Sequence, residues 1–419
     1  MPRIALIPSE PMGPRMAGIG IRYLEMARRL PAGELEIVLL TAGEPQQVPP
    51  LPEAVSVRAF ERGKLAPLLA DCDGAVAQGQ LANDVLLEVP TLPCAIDLYD
   101  PWLVENLHYR DTLGLDPYRN DHATWVLQLS RGDFFLCSSE EQRNYYLGFL
   151  TALGRVNPDR LAGDPDLSGL IAPVPFGLPE ELPPYRPLLE GSEPGVRRLL
   201  FGGLYDWYDP WTLLQALEAL QEAGTTAWQL LLVRNPNAAG TPQRLFGEVE
   251  AWCRRRGWWG GRVLAIDWVP AERRYDLLRD SDLLVSPHRP SLETRLSLRT
   301  RFLDALAAGC PAICTEGGAM SRFLLEHRAG WVVPAEDPAA LAAALKEVLE
   351  DPEALEERRR GARELQERFA WPRVLEPLIA FCRDPGQDPT KGDFAFRPAT
   401  VAPPDGLGFR LKRWWGRRA

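Results

Sequence analysis

Short runs of consecutive apolar residues alternate along this chain with longer stretches in which apolar residues recur every three or four positions. Ile4–Ile7 reads as a buried strand and Ile19–Leu30 as a helix with Ile21, Leu24, Ala27 and Leu30 on one face. Leu35–Leu40, Gly74–Ala77, Leu92–Ile96 and Phe134–Cys137 continue the strand series, with helical stretches such as His122–Leu129 and Glu140–Leu153 between them. Continuous apolar strands separated by helices predict a parallel sheet covered on both faces. A proline-rich break follows, with Pro173, Pro175, Pro179, Pro183, Pro184 and Pro187 crowded before Gly195. Proline continues neither a helix nor a central strand, so this stretch is an interdomain linker. The rhythm then restarts: a strand at Arg198–Phe201, a loop from Gly202 to Pro210, a helix to about Glu222, and strands at Gln229–Val233, Val263–Ile266, Leu283–Ser286 and Ala312–Cys314. An Ala- and Leu-rich helix at Ala339–Leu349 is capped near Asp337. Two doubly wound α/β domains facing each other make a cleft, and ligands of such sheets bind at the carboxyl ends of the strands.

Composition narrows the class. The chain has 419 residues, 46% hydrophobic and 25% charged, which suits two domains of ordinary size. A formal net charge of −10 excludes a general nucleic-acid binder, which needs a basic footprint. The seven cysteines are scattered without a CxxC pair and fit a reducing cytosol, and the four histidines lack metal-ligand spacing. No metal site and no cofactor are expected. The N-terminus has no signal-peptide design, and no apolar run reaches the ~18 residues of a spanning helix.

Three loops carry candidate chemistry. The first, Pro8 to Arg22, holds Arg15, Gly18 and Gly20 between strand and helix. It is either a ligand loop, with close backbone approach at a helix N-terminus, or a turn. The second, Asp97-Leu-Tyr-Asp-Pro-Trp-Leu-Val-Glu105, follows a strand. Its carboxylates accept sugar hydroxyls and its aromatic faces cover apolar sugar faces; the alternative is a turn at Asp100-Pro101. The third runs from Ser286 to Pro311. Ser297 is placed to cap a helix that stops at Gly309, with Arg299 and Arg301 in its first turn. The helix dipole disfavours cations there, and a bound diphosphate would offset them. The competing reading is a structural ion network of both arginines with Glu293 and Asp304.

The stretch Glu293-Thr-Arg-Leu-Ser-Leu-Arg299-Thr-Arg301-Phe-Leu-Asp304, followed by Ala-Leu-Ala-Ala-Gly-Cys-Pro311, resembles the donor-binding region of bacterial family 4-like glycosyltransferases of the GT-B fold. Other stretches agree in order: the Gly18/Gly20 loop with Arg22-Tyr-Leu-Glu, Asp97-Leu-Tyr-Asp-Pro, Gln142-Arg143, Leu153 to Pro158, Val174 to Leu178, Gly202-Gly203 with Asp206 to Pro210, Asn235-Pro-Asn237, and Asp267-Trp-Val-Pro270. The resemblance spans roughly residues 3 to 380 and implies the GT-B fold, two facing Rossmann-like domains. Residues 1–180 would form the acceptor domain and 195–370 the donor domain. Residues 371–383 would form a helix returning to the first domain, and 384–419 a tail. It implies a nucleotide-sugar donor, metal-independent transfer with retention, and no cofactor. Glu293 would meet donor-sugar hydroxyls and Asp304 the ribose. Gly18, Gly20, Gly202, Gly203, Arg234, Asn235, Asp267, Trp268 and His288 join the donor set, His288 either as a sugar contact or as a polar loop residue. Asp97, Tyr99, Asp100, Glu105 and Arg15 would face the acceptor, a glycan or lipid-linked glycan. Glu293, Arg299, Arg301 and Asp97 are the catalytic candidates. Two departures stand out. The loop Gly202–Asp209 lacks the family's Arg and Lys, for which Arg299 and Arg301, with Arg234, are the replacements. Asp304 follows Glu293 by eleven positions instead of eight.

The basic and aromatic stretch Phe409–Arg418 has the composition of an interfacial membrane contact at the inner face of the membrane, or of a disordered or docked tail. Two other functions share the architecture: a nucleotide-sugar epimerase, and a non-catalytic binding protein.

Overall fold

The computed structural model describes residues 1–13, 16, 18–30, 33–189, 194–204, 208–234, 244–270 and 273–392. Arg15, Asn235, the Asp206-Trp207 pair and the 409–418 stretch therefore lie outside the described residues.

The first sheet has seven parallel strands: β1 (Arg3–Ile7), β2 (Glu36–Thr41), β3 (Val55–Ala59), β4 (Gly74–Gln78), β5 (Cys94–Asp97), β6 (Phe134–Cys137) and β7 (Ile171–Pro173), in the spatial order β3-β2-β1-β4-β5-β6-β7. The second has six: β8 (Arg197–Gly202), β9 (Trp228–Val233), β10 (Val263–Ile266), β11 (Leu283–Ser286), β12 (Ala312–Thr315) and β13 (Gly330–Val333), ordered β10-β9-β8-β11-β12-β13. Both order reversals occur at the first strand of their domain: β1 pairs with β2 and β4, and β8 with β9 and β11. That reversal opens a crevice at the carboxyl ends, where sheets of this kind bind ligands.

The central strands are buried on both faces, as their unbroken apolar runs predict. The edges β3 and β7, and the short edge β13, were not predicted. Val55–Ala59 alternates partly exposed residues, and Ile171–Pro173 is three residues long and ends in proline, so neither shows an apolar run. The gaps between strands fold largely as their periodicity requires, as in helices Gly18–Arg29, Asp116–Arg131, Glu140–Ala152 and Pro210–Glu222. The predicted cap at Asp337 is present: its side chain accepts from Ala340 N at the start of helix Pro338–Glu350.

The proline-rich linker crosses to the second domain and is pinned there, with Arg186 N donating to Asp276 and Arg279 to the Pro183 carbonyl. The chain then returns. Leu178 N bonds to Phe369 O, and Trp371 fills the space over Gly177, where an added Cβ would lie 2.2 Å from the indole. Helix Glu376–Arg383 lies against the first domain, with Phe381 stacked on Phe134. The predicted tail from 384 begins as an anchored strap: buried Asp388 pairs with Arg155 (2.7 Å) and Arg160 (2.6 Å), and Lys391 with Asp133.

Candidate active site

The two strand-order reversals face one another across a pocket of about 230 Å³. The first domain lines it with Gly18, Tyr99, Asp100, Pro101 and Glu105; the second with Tyr208, Glu293 and the run Ser297–Arg301. Candidates drawn from three separate loops of the sequence thus meet in one place.

The wall from the second domain is built on a broken helix. Ser291 caps the short helix Leu292–Leu296 by accepting from Thr294 N (3.0 Å). Ser297 ends that helix instead of starting the next, which corrects the predicted cap. The second helix is Thr300–Ala307, and Arg299 stands at its N-cap position with no side-chain cap bond. Arg299 and Arg301 therefore both sit at the positive end of a helix, a placement unfavourable for cations without a counter-anion. Arg299 pairs with the buried carboxylate of Glu293, which is 2% exposed. Arg301 donates to the carbonyls of Phe201 (3.1 Å) and Gly203 (3.3 Å) at the end of β8. Gly202 adopts φ +83°, and its missing side chain leaves room for the Arg301 guanidinium, 3.2 Å from where a Cβ would lie.

Tyr208 organises this cluster. The guanidinium of Arg301 lies 4.5 Å and that of Arg299 5.7 Å from its ring centre, and His288 meets it edge-on at 4.5 Å. His288 is 2% exposed with its Nε2 unpartnered, and burial next to both arginines holds it well below its usual range. It sits behind Tyr208 as a neutral imidazole. Tyr208 was quoted in the sequence but given no role; no local signal distinguishes a ring that organises arginines from an ordinary loop aromatic.

The wall from the first domain needs one correction. Asp97 does not face the cleft. It is 1% exposed and forms a two-point ion pair with Arg22, Nε to Oδ2 at 2.8 Å and Nη2 to Oδ1 at 3.1 Å. The third arm of Arg22 donates to the Pro175 carbonyl (3.0 Å), so the pair is closed on itself. Asp100 and Glu105 do line the pocket, half-buried, and neither makes an ion pair among the described residues. Burial and the neighbouring Asp97 push Asp100 up to about 7. Burial, then Asp100 and Glu293, push Glu105 up to about 8, against the pull of Arg299.

The remaining candidates stand elsewhere. Asp304 pairs with Arg274 (3.0 Å) and is absent from the pocket lining, so it joins neither Arg299 nor Arg301 in a network. Gly20 serves packing: an added Cβ would meet Met16 Cβ at 2.4 Å, and its amide donates to Glu10. Arg234 lies over Phe246 near Glu250, and the exposed Asp267 and Trp268 follow β10, all outside the pocket. Among the described residues, no group of three or more His, Cys, Asp or Glu is placed to hold a metal ion.

Residues 197–351, which contain the second-domain wall of the pocket, match the model of the family described as glycosyl transferases group 1. The match covers the second domain and less than half of the chain. No curated protein matches by sequence. Solved structures do match by shape. Sucrose-phosphate synthase of Thermosynechococcus elongatus superposes with a TM-score of 0.65 at 17% identity, covering 91% of this chain and 98% of its own. A structure titled trehalose-6-phosphate from E. coli, bound with UDP-2-fluoro glucose, gives 0.63 at 14% identity over 92% and 100%. HepE of Anabaena in complex with UDP-glucose gives 0.60 at 15% identity over 90% and 98%. At such identities the likeness establishes the fold: the two Rossmann-like domains form the GT-B architecture. No helix among the described residues is long and apolar enough to cross a membrane.

Proposed function

We propose that the second domain of this chain binds a nucleoside-diphosphate sugar and that the cleft passes the sugar to an acceptor hydroxyl. The observation that carries the reading is the meeting of Arg299 and Arg301, at one helix N-terminus, with Gly18 and the Asp100–Glu105 wall in one pocket. The diphosphate is expected against the two guanidiniums and the Thr300 end of the helix, where dipole and charge both favour an anion. Glu293, held in place by Arg299, faces the donor-sugar hydroxyls. Tyr99, Asp100 and Glu105 face the acceptor, a glycan or lipid-linked glycan. The chemistry asked of the protein is positioning and stabilisation of the leaving diphosphate, as in retaining, metal-independent transfer. Structural neighbours hold UDP and UDP-glucose, which makes UDP the first nucleotide to try. A cytoplasmic setting, with membrane contact through residues 409–418, belongs to the same proposal.

Thermal shift against UDP, GDP, ADP, CMP and dTDP tests it, since a ligand that binds only the native state raises the Tm by mass action. A shift with one nucleoside diphosphate that disappears in Arg301→Ala is the expected result. No shift with any of them would remove the reading. Product analysis with the matching sugar nucleotide then separates transfer from epimerisation.

A further inference from the structure

Glu105 projects from the first domain, yet its electrostatic neighbours are largely on the second. Beside it stand Asp100 from its own loop and Glu293, Ser297 and Arg299 from across the cleft. Arg299 is already paired with Glu293, and Arg22 with Asp97. With Asp100, Glu105 and Glu293 all ionised, three carboxylates would face the guanidiniums of Arg299 and Arg301. That leaves one net negative charge around about 230 Å³ of space, which repels a diphosphate.

We propose that Glu105 works in this cleft as a neutral carboxylic acid whose hydroxyl donates a hydrogen bond to the bound diphosphate, so that wherever free Glu105 is ionised the anion and a proton enter together. This rests on the nucleotide-sugar reading above and reassigns Glu105 from the acceptor to the leaving group. A protonated carboxyl is a donor, and its bond to an anionic oxygen is of the short, strong kind. The proton remains on Glu105, and the bond strengthens as the leaving diphosphate gains charge. Burial and the like charges of Asp100 and Glu293 already hold the proton to about pH 8, and an arriving anion holds it further. The other groups around the pair act predictably. Asp100 titrates near 7, under Asp97, Arg22 and Glu10. The phenols of Tyr99 and Tyr146 are driven up by burial, and His288 is held down. Tyr208, Arg301 and the Arg299–Glu293 pair complete the surroundings.

Titration calorimetry of the full chain with UDP, from pH 6.5 to 9.5 and in two buffers of different ionisation enthalpy, counts the protons. The wild type should take up close to one proton per UDP at pH 9, with Kd rising up to about tenfold per pH unit above 8. Glu105→Gln keeps a donor in the same shape; it should bind at pH 9 as tightly as at pH 7 and lose that uptake. Any remainder should vanish when Asp100→Asn is added to Glu105→Gln. Unchanged uptake in Glu105→Gln, tighter wild-type binding as pH rises, or loss of UDP binding by a folded Glu105→Gln at pH 6.5 would each overturn the role of Glu105. Should no nucleoside diphosphate bind the wild type at any pH, the nucleotide-sugar reading itself fails, and this inference with it.

Discussion

Two arginine–carboxylate pairs lie close to the cleft and differ in what they have left to give. Arg22 and Asp97 are both 0% exposed at their side chains; the guanidinium makes two bonds to the carboxylate and a third to the Pro175 carbonyl. Arg299 and Glu293 share one bond at 11% and 2% exposure, and Arg299 Nε has no partner. A guanidinium carries its donors on three nitrogens. In Arg22 each nitrogen has a partner and the pair is scaffold, whereas Arg299 lines the pocket with one nitrogen unpartnered and is able to meet a ligand. Residue type alone does not distinguish the two; residual hydrogen-bonding capacity does.

The sealed pair is the place for the largest effect. Asp97→Ala strands the Arg22 cation in a fully buried site, which costs about 3–5 kcal/mol. The expected outcome is a collapse of Tm or failure to express folded protein, checked by circular dichroism. A folded Asp97→Ala with normal Tm and lost activity would instead restore the catalytic role that the sequence suggested. Arg301→Ala comes next and should act oppositely. Its Tm should fall by only about 4 °C, for the lost bonds to the Phe201 and Gly203 carbonyls, while affinity for the nucleoside diphosphate falls by roughly 10- to 100-fold, the worth of one or two charge-assisted hydrogen bonds. Isothermal titration separates this from a structural role, in which stability would fall and affinity would not.

The fold was legible because buried parallel strands are unbroken apolar runs, and every such run became a strand. The edges β3 and β7 escaped because an edge strand has one neighbour and needs no apolar face on both sides; β13 escaped because its apolar run is only three residues long. At the site, Glu293, Arg299, Arg301, Asp100 and Glu105 were readable from their loops. Asp97 was not: its partner Arg22 is 75 positions away, and only the packing of helix Gly18–Arg29 on the β5 end brings them together. Part of the family resemblance proved to be scaffold for the same reason. Gln142 links Ser138 N to the Tyr99 carbonyl, and Arg155 and Asn157 hold the 388–390 strap. A motif shared for packing looks, in one sequence, like a motif shared for chemistry.

A smaller effect tests the open side through pH. The carboxyls of Asp100 and Glu105 rise from ordinary values of 3.8 and 4.5 to about 7 and 8 on folding. Between those limits the native state binds more protons than the unfolded chain, so stability declines as pH rises from about 4 to 8. Both groups are half-buried, and solvent screening reduces the effect. Glu105→Gln should therefore melt roughly 1–3 °C above the wild type at pH 8.5, with the gap closing toward pH 5. A gap independent of pH would mean that Glu105 is not the group that titrates.

The smallest expected effect lies at the residue joining the two pairs. Tyr99 carries the Arg22 guanidinium 4.7 Å from its ring centre, and its hydroxyl donates to the Leu298 carbonyl at 3.0 Å, across the domain boundary and beside Arg299. Leu296, from the same segment, packs into the core cluster of the first domain. The scaffold pair thus reaches the ligand-facing pair through one ring and one hydroxyl. Tyr99→Phe keeps the ring on Arg22 and removes only the bond to Leu298, worth about 0.5–1.5 kcal/mol. Stability should drop by no more than this, and UDP affinity should fall two- to threefold as Arg299 loses a fixed neighbour. If affinity is unchanged while stability drops by that amount, the bond is a domain fastener only, and the open pair owes its position to the broken helix alone. If affinity falls further than in Arg301→Ala, the scaffold sets the donor site more firmly than its own arginines do.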